Sequence, residues 1–253
     1  MRLMSYNILD GALDADGTSR LALIAELIGR LDPDVVALQE ANEFELRGQE
    51  RRFELERATG MRLLLGLSPS GYHGALLVKP GFGIVTCCSG PPGTNRSLVE
   101  ARLVTPGGLG IGVAGVHLDP FSPDARLLGS LHALPGPPGI VMGDFNSPRT
   151  DDPGLDAALS KIGARLFARS GNLEGDVDDR ALRVLEAAGF VDLYRKVHPG
   201  EPGVTMPRLG LRFDYIFATA DLAANLVDCQ IYEAAPADRA SDHLPVVADL
   251  DVA

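Results

Sequence analysis

The chain has 253 residues, 45% hydrophobic and 23% charged, with a net charge of −11. That composition is of the ordinary globular kind and excludes a disordered or fibrous chain. The acidic balance argues against a surface coated in basic patches for gripping long nucleic acid, though not against a phosphate-directed site. No run of about 18 apolar residues exists, so no membrane span is expected. The N-terminus carries no signal-like core and reads at once as a strand, so the expected location is the cytoplasm. Cys87, Cys88 and Cys229 lack metal-binding spacing and read as buried thiols of a reducing compartment. Only Lys79, Lys161 and Lys196 are lysines. The remaining positive charge is arginine, which suits bidentate phosphate contact.

In chain order, RLMSYNI reads as a first strand. SRLALIAELIGRL carries Leu21, Ile24, Ile28 and Leu31 at helical spacing, with Thr18 or Ser19 as cap and Pro33 beyond its end. DVVALQE is a second strand, and a weaker helix covers Glu45 to Thr59. GALLVK and LVEARLVT read as antiparallel strands, and GFGIVTCC as another strand. LGIGVAGVHL begins after the turn at Pro106-Gly107-Gly108. SPDARLLGSLHAL is a helix with Ser122 as N-cap and Pro123 at its first position. GIVMGDF is a strand. DDRALRVLEAAGF is a helix from near Asp178 that stops at Gly189. RFDYIFAT and LPVVADLDV close the chain as strands. Residues 146–176 and 198–210 are rich in turn-formers and read as surface loops. Strands joined by both helical crossovers and hairpins suggest two mixed sheets packed face to face with helices outside. One domain spanning residues 1–253, and a monomer, are the expectation.

The polar residues at strand mouths carry the functional signal. Asn7 ends the first strand and Glu40 the second. His117 ends LGIGVAGVH, and Asp144 and Asn146 end GIVMGDFN. Asp214 lies inside RFDYIF, and Asp242 and His243 precede the last strand. One such residue has a structural explanation more often than not, as a cap or turn. So many at strand ends are hard to explain separately. Their oxygens suit a hard cation such as Mg²⁺, Mn²⁺ or Ca²⁺, and nothing resembles a zinc site. A histidine beside a carboxylate, His243 with Asp214, adds acid/base capacity. Together these parts describe phosphoester hydrolysis.

The ordered set SYNI, LQE, VHLDP, MGDFNS, RFDYIF and SDHLPV resembles the endonuclease/exonuclease/phosphatase superfamily. That superfamily includes abasic-site endonucleases, pancreatic-type deoxyribonucleases, inositol-polyphosphate 5-phosphatases and neutral sphingomyelinases. The resemblance runs from about residue 2 to 250. Each motif alone is short and weak; the ordered set is specific. It implies a four-layer α/β/β/α sandwich. It implies Glu40 as principal metal ligand, with Asn7 and Asp242 completing or supporting the site. Asp144 would orient or deprotonate water, and Asn146 would hold the scissile phosphate. His243, oriented by Asp214, would stabilise the transition state or act as acid/base. His117 stands where deoxyribonucleases and sphingomyelinases carry histidine. Two positions depart from the pattern. Leu9 stands where abasic endonucleases carry an acid, with Asp10 one place late. Tyr72-His73 stands where deoxyribonucleases carry a glutamate partner for their histidine. Arg96 and Arg212 are candidate phosphate contacts. The implied reaction is metal-dependent hydrolysis of a phosphodiester in nucleic acid or a nucleotide. The alternative is a lipid or sugar phosphate, and a non-catalytic binding protein is the outlier.

Overall fold

Alternation along the strands dictates the layers. In the computed structural model, which describes residues 1–90, 96–161 and 177–252, Leu3 of β1 (Arg2–Asn7) faces one way and Met4 the other. The same two-residue period holds in β8 (Gly139–Asp144), where Ile140 and Met142 face inward and Val141 outward. Successive side chains of a strand point to opposite faces. A strand that is apolar on both faces must therefore be covered on both.

Two six-stranded sheets result. The first has the order β11 (Leu226–Ile231), β12 (Val246–Leu250), β1, β2 (Val35–Gln39), β4 (Gly74–Val78), β3 (Arg62–Gly66), and the second β5 (Gly83–Ser89), β6 (Ser97–Val104), β7 (Gly110–His117), β8, β10 (Asp214–Thr219), β9 (Phe190–Asp192). Their inner faces meet through residues such as Leu3, Val35, Leu76, Val99, Val113, Met142 and Ile216. Outside the first sheet lies the helix Leu21–Leu31, which buries Leu21, Ile24, Leu27, Ile28 and Leu31. Outside the second, the helix Arg180–Ala187 buries Leu182 and Leu185 against Phe217 and its neighbours. Truncating any such fully buried leucine to alanine costs about 2–5 kcal/mol. The expected four-layer α/β/β/α sandwich is the fold.

Several expectations need correction. GALLVK is β4 (Gly74–Val78), which pairs antiparallel with β2 (Val35–Gln39) and β3 (Arg62–Gly66). LVEARLVT belongs to β6 (Ser97–Val104), which pairs with β5 (Gly83–Ser89) and β7 (Gly110–His117) in the other sheet. The two segments face each other across the core and are not ladder partners. Cys87 and Cys88 are exposed, because β5 is an edge strand with little packed on it; Cys229 is buried. The Leu21–Leu31 helix is capped by Arg20 rather than Thr18 or Ser19, although Ser19 Oγ accepts from Leu21 N–H. Ser122 does cap its helix, accepting from Ala125 N–H at 3.2 Å, with Pro123 in the first turn. The helix expected over Glu45–Thr59 begins later, at Glu50. Residues 162–176 of the turn-rich stretch 146–176 lie outside the described residues.

Register places the polar ends together. β1 runs parallel to β2, pairing Asn7 with Gln39. β7 runs parallel to β8 and pairs His117 with Asp144, while antiparallel β10 (Asp214–Thr219) sets Asp214 opposite Asp144. Asn7, His117, Asp144 and Asp214 have the parity of the inward-facing residues on their strands. They therefore cluster at one end of the gap between the sheets. Gly143 permits the close approach of β7 and β8 there. Its φ is +153°, and a Cβ on it would stand 1.9 Å from the Val116 carbonyl oxygen.

Candidate active site at the open end of the sandwich

Six strand ends from both sheets meet here, and each group has a definite hold. Asp144 is 1% exposed. Its Oδ1 accepts from Asn146 N–H at 2.8 Å, and its Oδ2 accepts from Asn7 Nδ2 at 3.0 Å. His117 Nε2 lies 3.7 Å from the same Oδ2 and 4.0 Å from Glu40 Oε1. Glu40 has left the strand geometry, with φ +61°. That turn swings its carboxylate into the cleft, where Oε2 accepts from Asp10 N–H at 2.9 Å and Oε1 lies 3.4 Å from Asn7 Nδ2. The sequence departure at Leu9 and Asp10 thus leaves Asp10 beside Glu40, with Asn42 Nδ2 donating to its carboxylate at 3.2 Å.

The opposite wall holds a histidine–carboxylate pair. His243 Nδ1 and Asp214 Oδ2 are 2.7 Å apart, and His243 Nε2 is 3.9 Å from Asp144 Oδ2. Burial alone would lower the His243 imidazole. The Asp214 charge and hydrogen bond, with Asp144 and Asp242 adding to them, push it up to about 10. The imidazolium is therefore the resting form, and Asp214 fixes which nitrogen faces the cleft. Burial first, and then the Asp214 charge, push Asp144 up to about 7, against the pull of His243 and the Asn146 and Asn7 hydrogen bonds. Burial, then the Arg96 and His243 charges, holds His117 well below the ordinary histidine range, so it is a neutral imidazole. Burial likewise raises Glu40.

Oxygen donors of the kind a hard cation takes are present. Asp242 Oδ1 is buried with no hydrogen-bond partner among the described residues, as is Asp214 Oδ1. Buried orphan carboxylate oxygens are costly unless something neutralises them. Among the described residues the tightest cluster of ligand-type side chains is Asp144, Asp214 and His243, with one atom of each within 4.8 Å of the others. The metal set expected from the resemblance is Asn7, Glu40 and Asp242. Asn7 in particular presents its amide nitrogen to Glu40 and Asp144, while its oxygen accepts from Leu9 N–H at 3.0 Å. Its amide braces the two acids. Asn146 sits at φ +49°, and its Nδ2 donates to the Leu118 carbonyl at 3.0 Å, which holds it beside the cleft.

Arg212 requires correction as a phosphate contact. It is 2% exposed, and its guanidinium bonds Asp152 at 3.0 Å and Asp192 at 2.8 Å while lying over the Tyr215 ring at 4.4 Å. It fastens the loop after Asn146 to the end of β9 (Phe190–Asp192). Arg96 stays near the cleft, 3.9 Å over the Tyr72 ring, which in turn meets His117 edge-on at 6.3 Å. His73 turns away from His117. It faces Glu45 at 3.0 Å, and its Nδ1 accepts from Ser68 N–H at 2.9 Å.

One positioning residue escaped the sequence reading. Thr205 is fully buried. Its Oγ1 accepts from Phe213 N–H at 3.0 Å and Asp214 N–H at 3.1 Å, and its carbonyl accepts from Leu244 N–H at 2.7 Å. It therefore ties the backbones on both sides of the Asp214–His243 pair. Its setting, Gly203-Val204-Thr205-Met206-Pro207, looks like loop, and only the fold reveals the clamp.

Comparison with known proteins bears on the fold and the family. No curated protein matches the chain in sequence. In structure it is similar to an AP endonuclease from Archaeoglobus fulgidus, with TM-score 0.72, 21% identity and full coverage of both chains. It is similar to a Neisseria 3′ phosphatase bound to a product DNA hairpin, with TM-score 0.72, 20% identity and full coverage of both. The human Nocturnin catalytic domain follows at TM-score 0.71 and 20% identity, covering 98% of this chain and 92% of that one. These identities speak for the fold alone. The sequence model of the Endonuclease/Exonuclease/phosphatase family matches residues 4–243, nearly the whole chain. The protein belongs to the endonuclease/exonuclease/phosphatase family.

Proposed function

We propose that the chain, acting as one domain, is a divalent-metal-dependent phosphodiesterase of nuclease type, hydrolysing nucleic acid or a nucleotide. The observation that carries this reading is the buried contrast in one cleft: an acid-rich wall facing a hydrogen-bonded Asp214–His243 pair at 2.7 Å. The orphaned Asp242 Oδ1 and the carboxylate of Glu40 fit the oxygen-rich shell of Mg²⁺ or Mn²⁺, with Ca²⁺ a poorer third choice. Such an ion, when bound, polarises a phosphoryl oxygen and neutralises developing charge.

The chain's own groups supply the rest. Asp144, raised towards neutrality, accepts a proton from the attacking water. Asn7 holds that carboxylate in place through its Oδ2. His243, charged and aimed by Asp214, faces the developing negative charge on the phosphorus oxygens. Neutral His117 lies on the other side of Asp144 Oδ2 as an uncharged hydrogen-bonding group, and the imidazolium of His243 is the group that holds a proton for the departing oxygen. Asn146 and Arg96 border the position of the phosphate. Hydrolysis of bis-p-nitrophenyl phosphate is expected to need Mg²⁺ or Mn²⁺, to stop with chelator and to be lost in Glu40→Ala. Full activity in chelator, or in Glu40→Ala, rejects this reading.

A further inference from the structure

Behind the acid-rich wall of the cleft lies one buried guanidinium with every donor in use. Arg20 stands at the head of the helix Leu21–Leu31 and is buried. Its Nε donates to Asp14 Oδ1 at 2.8 Å. One terminal nitrogen donates to the Ile8 carbonyl at 3.2 Å and to the Ala240 carbonyl. The other donates to the carbonyls of Leu9 at 2.7 Å and Leu13 at 3.3 Å. A guanidinium offers its N–H groups in a fixed planar fork, and here none is left over.

The bonded carbonyls belong to two segments that position site residues. The first is a left-handed turn, with φ +52° at Leu9, +47° at Asp10, +65° at Gly11 and +57° at Ala12. Residues with a Cβ hold that conformation only where their surroundings enforce it. Gly11 allows the turn to close on the neighbouring loop: a Cβ there would stand 2.3 Å from the Asn42 carbonyl oxygen. The turn aims its N–H groups at the site. Asp10 N–H donates to Glu40 Oε2 at 2.9 Å, Gly11 N–H to the Glu40 carbonyl at 2.7 Å, and Leu9 N–H to Asn7 Oδ1 at 3.0 Å. The second segment follows Ala240. Ser241 Oγ donates to the Asn7 carbonyl at 2.7 Å and accepts from His243 N–H at 3.2 Å. Asp242 lies between them in the chain.

We propose that Arg20 is a positioning residue of the active site, one that sets the spacing between the Glu40 carboxylate and the Asp242–His243 segment. The inference rests on the phosphodiesterase reading above. Arg20 acts through the backbone and touches no reacting atom. A plain salt bridge would explain only the Asp14 bond, and the Asp14 side chain is 50% exposed, where such a pair is worth little. A role confined to the start of the helix would not reach Ala240, 220 residues further along the chain. Lysine has three donors on one nitrogen and cannot span carbonyls that the planar fork reaches together.

The test measures Mn²⁺ affinity, from the paramagnetic resonance of the free ion, and turnover of bis-p-nitrophenyl phosphate, on the full chain. Arg20→Lys is expected to weaken Mn²⁺ binding and to lower kcat, each by about 10–100-fold, as for other groups that orient a metal's ligands, with KM for the diester unchanged. Arg20→Ala is expected to lose as much, and guanidinium ion at millimolar concentration to restore both measures where ammonium does not. Asp14→Asn keeps the four carbonyl bonds. Leu27→Ala truncates a buried residue of the same helix without touching those carbonyls. Both are expected to match the parent at a temperature where all variants are folded by circular dichroism. Parent-like Mn²⁺ affinity and kcat in Arg20→Lys, an equal loss in Leu27→Ala, or no recovery with guanidinium overturns the inference. Should Arg20→Ala not fold, Arg20→Lys decides by the same two measures. If the parent cleaves no diester, the phosphodiesterase reading fails, and Arg20 is judged by amide hydrogen exchange in the metal-free protein. Arg20→Lys must then speed exchange at Leu9 and Gly11 by about tenfold over Leu27→Ala; otherwise the inference falls too.

Discussion

Around Arg212, two buried carboxylates share one guanidinium. Around Asp144, buried carboxylates outnumber the cations within reach. The first cluster is nearly closed: Asp152 and Asp192 both bond Arg212, and Arg195 and Arg149 stand behind them. The second is left open: Asp144 is pushed up towards neutrality, and among the described residues Asp214 and Asp242 each keep an unpartnered oxygen. Both clusters pay desolvation, but only the first is compensated by the protein itself. A folded chain tolerates an uncompensated cluster where something other than stability retains it. Strongly perturbed buried acids in a cleft mark a candidate functional site.

This contrast can be broken from either end. The largest effect is expected at Asp144. Asp144→Asn should lower turnover by about 10³-fold, since a base in the attacking position is removed. The same change should raise the melting temperature of the metal-free protein at pH 8. The sign follows from the raised pKa: folding favours the protonated acid, so the cost of Asp144 builds up as pH rises from the unfolded value of about 3.9 and is complete above the folded value of about 7. Below the unfolded value that cost is absent, so the gain should shrink towards zero as pH is lowered to about 3. A variant that loses melting temperature at pH 8 would show Asp144 to be a stabilising acid and reverse the comparison.

At the closed cluster the expectation is the opposite. Arg212→Met should destabilise by about 3–5 kcal/mol in chemical denaturation, because Asp152 and Asp192 lose the buried cation that bonds both and keep only Arg195 and Arg149. Turnover per folded molecule should change little. A hundredfold loss of turnover with unchanged stability would return Arg212 to the substrate. Thr205 tests the join between the regions with a smaller effect. Thr205→Val leaves two backbone N–H groups unpaired and should cost about 1–3 kcal/mol. It should also lower kcat by about tenfold with KM unchanged, and Thr205→Ser should restore both. A variant that raises KM instead would place Thr205 in binding.

The strand-mouth acids and histidines were legible because a two-residue period carries functional side chains and core side chains on the same face. Asn7 follows Leu3 and Ser5, and Asp144 follows Ile140 and Met142, so an apolar run that ends in a polar residue of matching parity announces the cleft. The Asp214–His243 pair was legible for the same reason, since both flank apolar strands. Sheet membership was not. Local alternation in GALLVK and LVEARLVT is the same whether they pair or face each other, and only the long-range ladder decides. Arg212 misled because its position, two residues before Asp214, says nothing of Asp152, sixty residues away in the chain. Cys87 and Cys88 misled because an edge strand can be as apolar in sequence as a central one.

Gly143 makes one further point. With the Val116 carbonyl only 1.9 Å from where a Cβ would sit, any side chain at 143 must force the two parallel strands apart at their shared mouth. His117 and Asp144 would separate with them. Gly143 thus acts as a spacer of zero thickness, and a side chain there would remake the distance between His117 and Asp144.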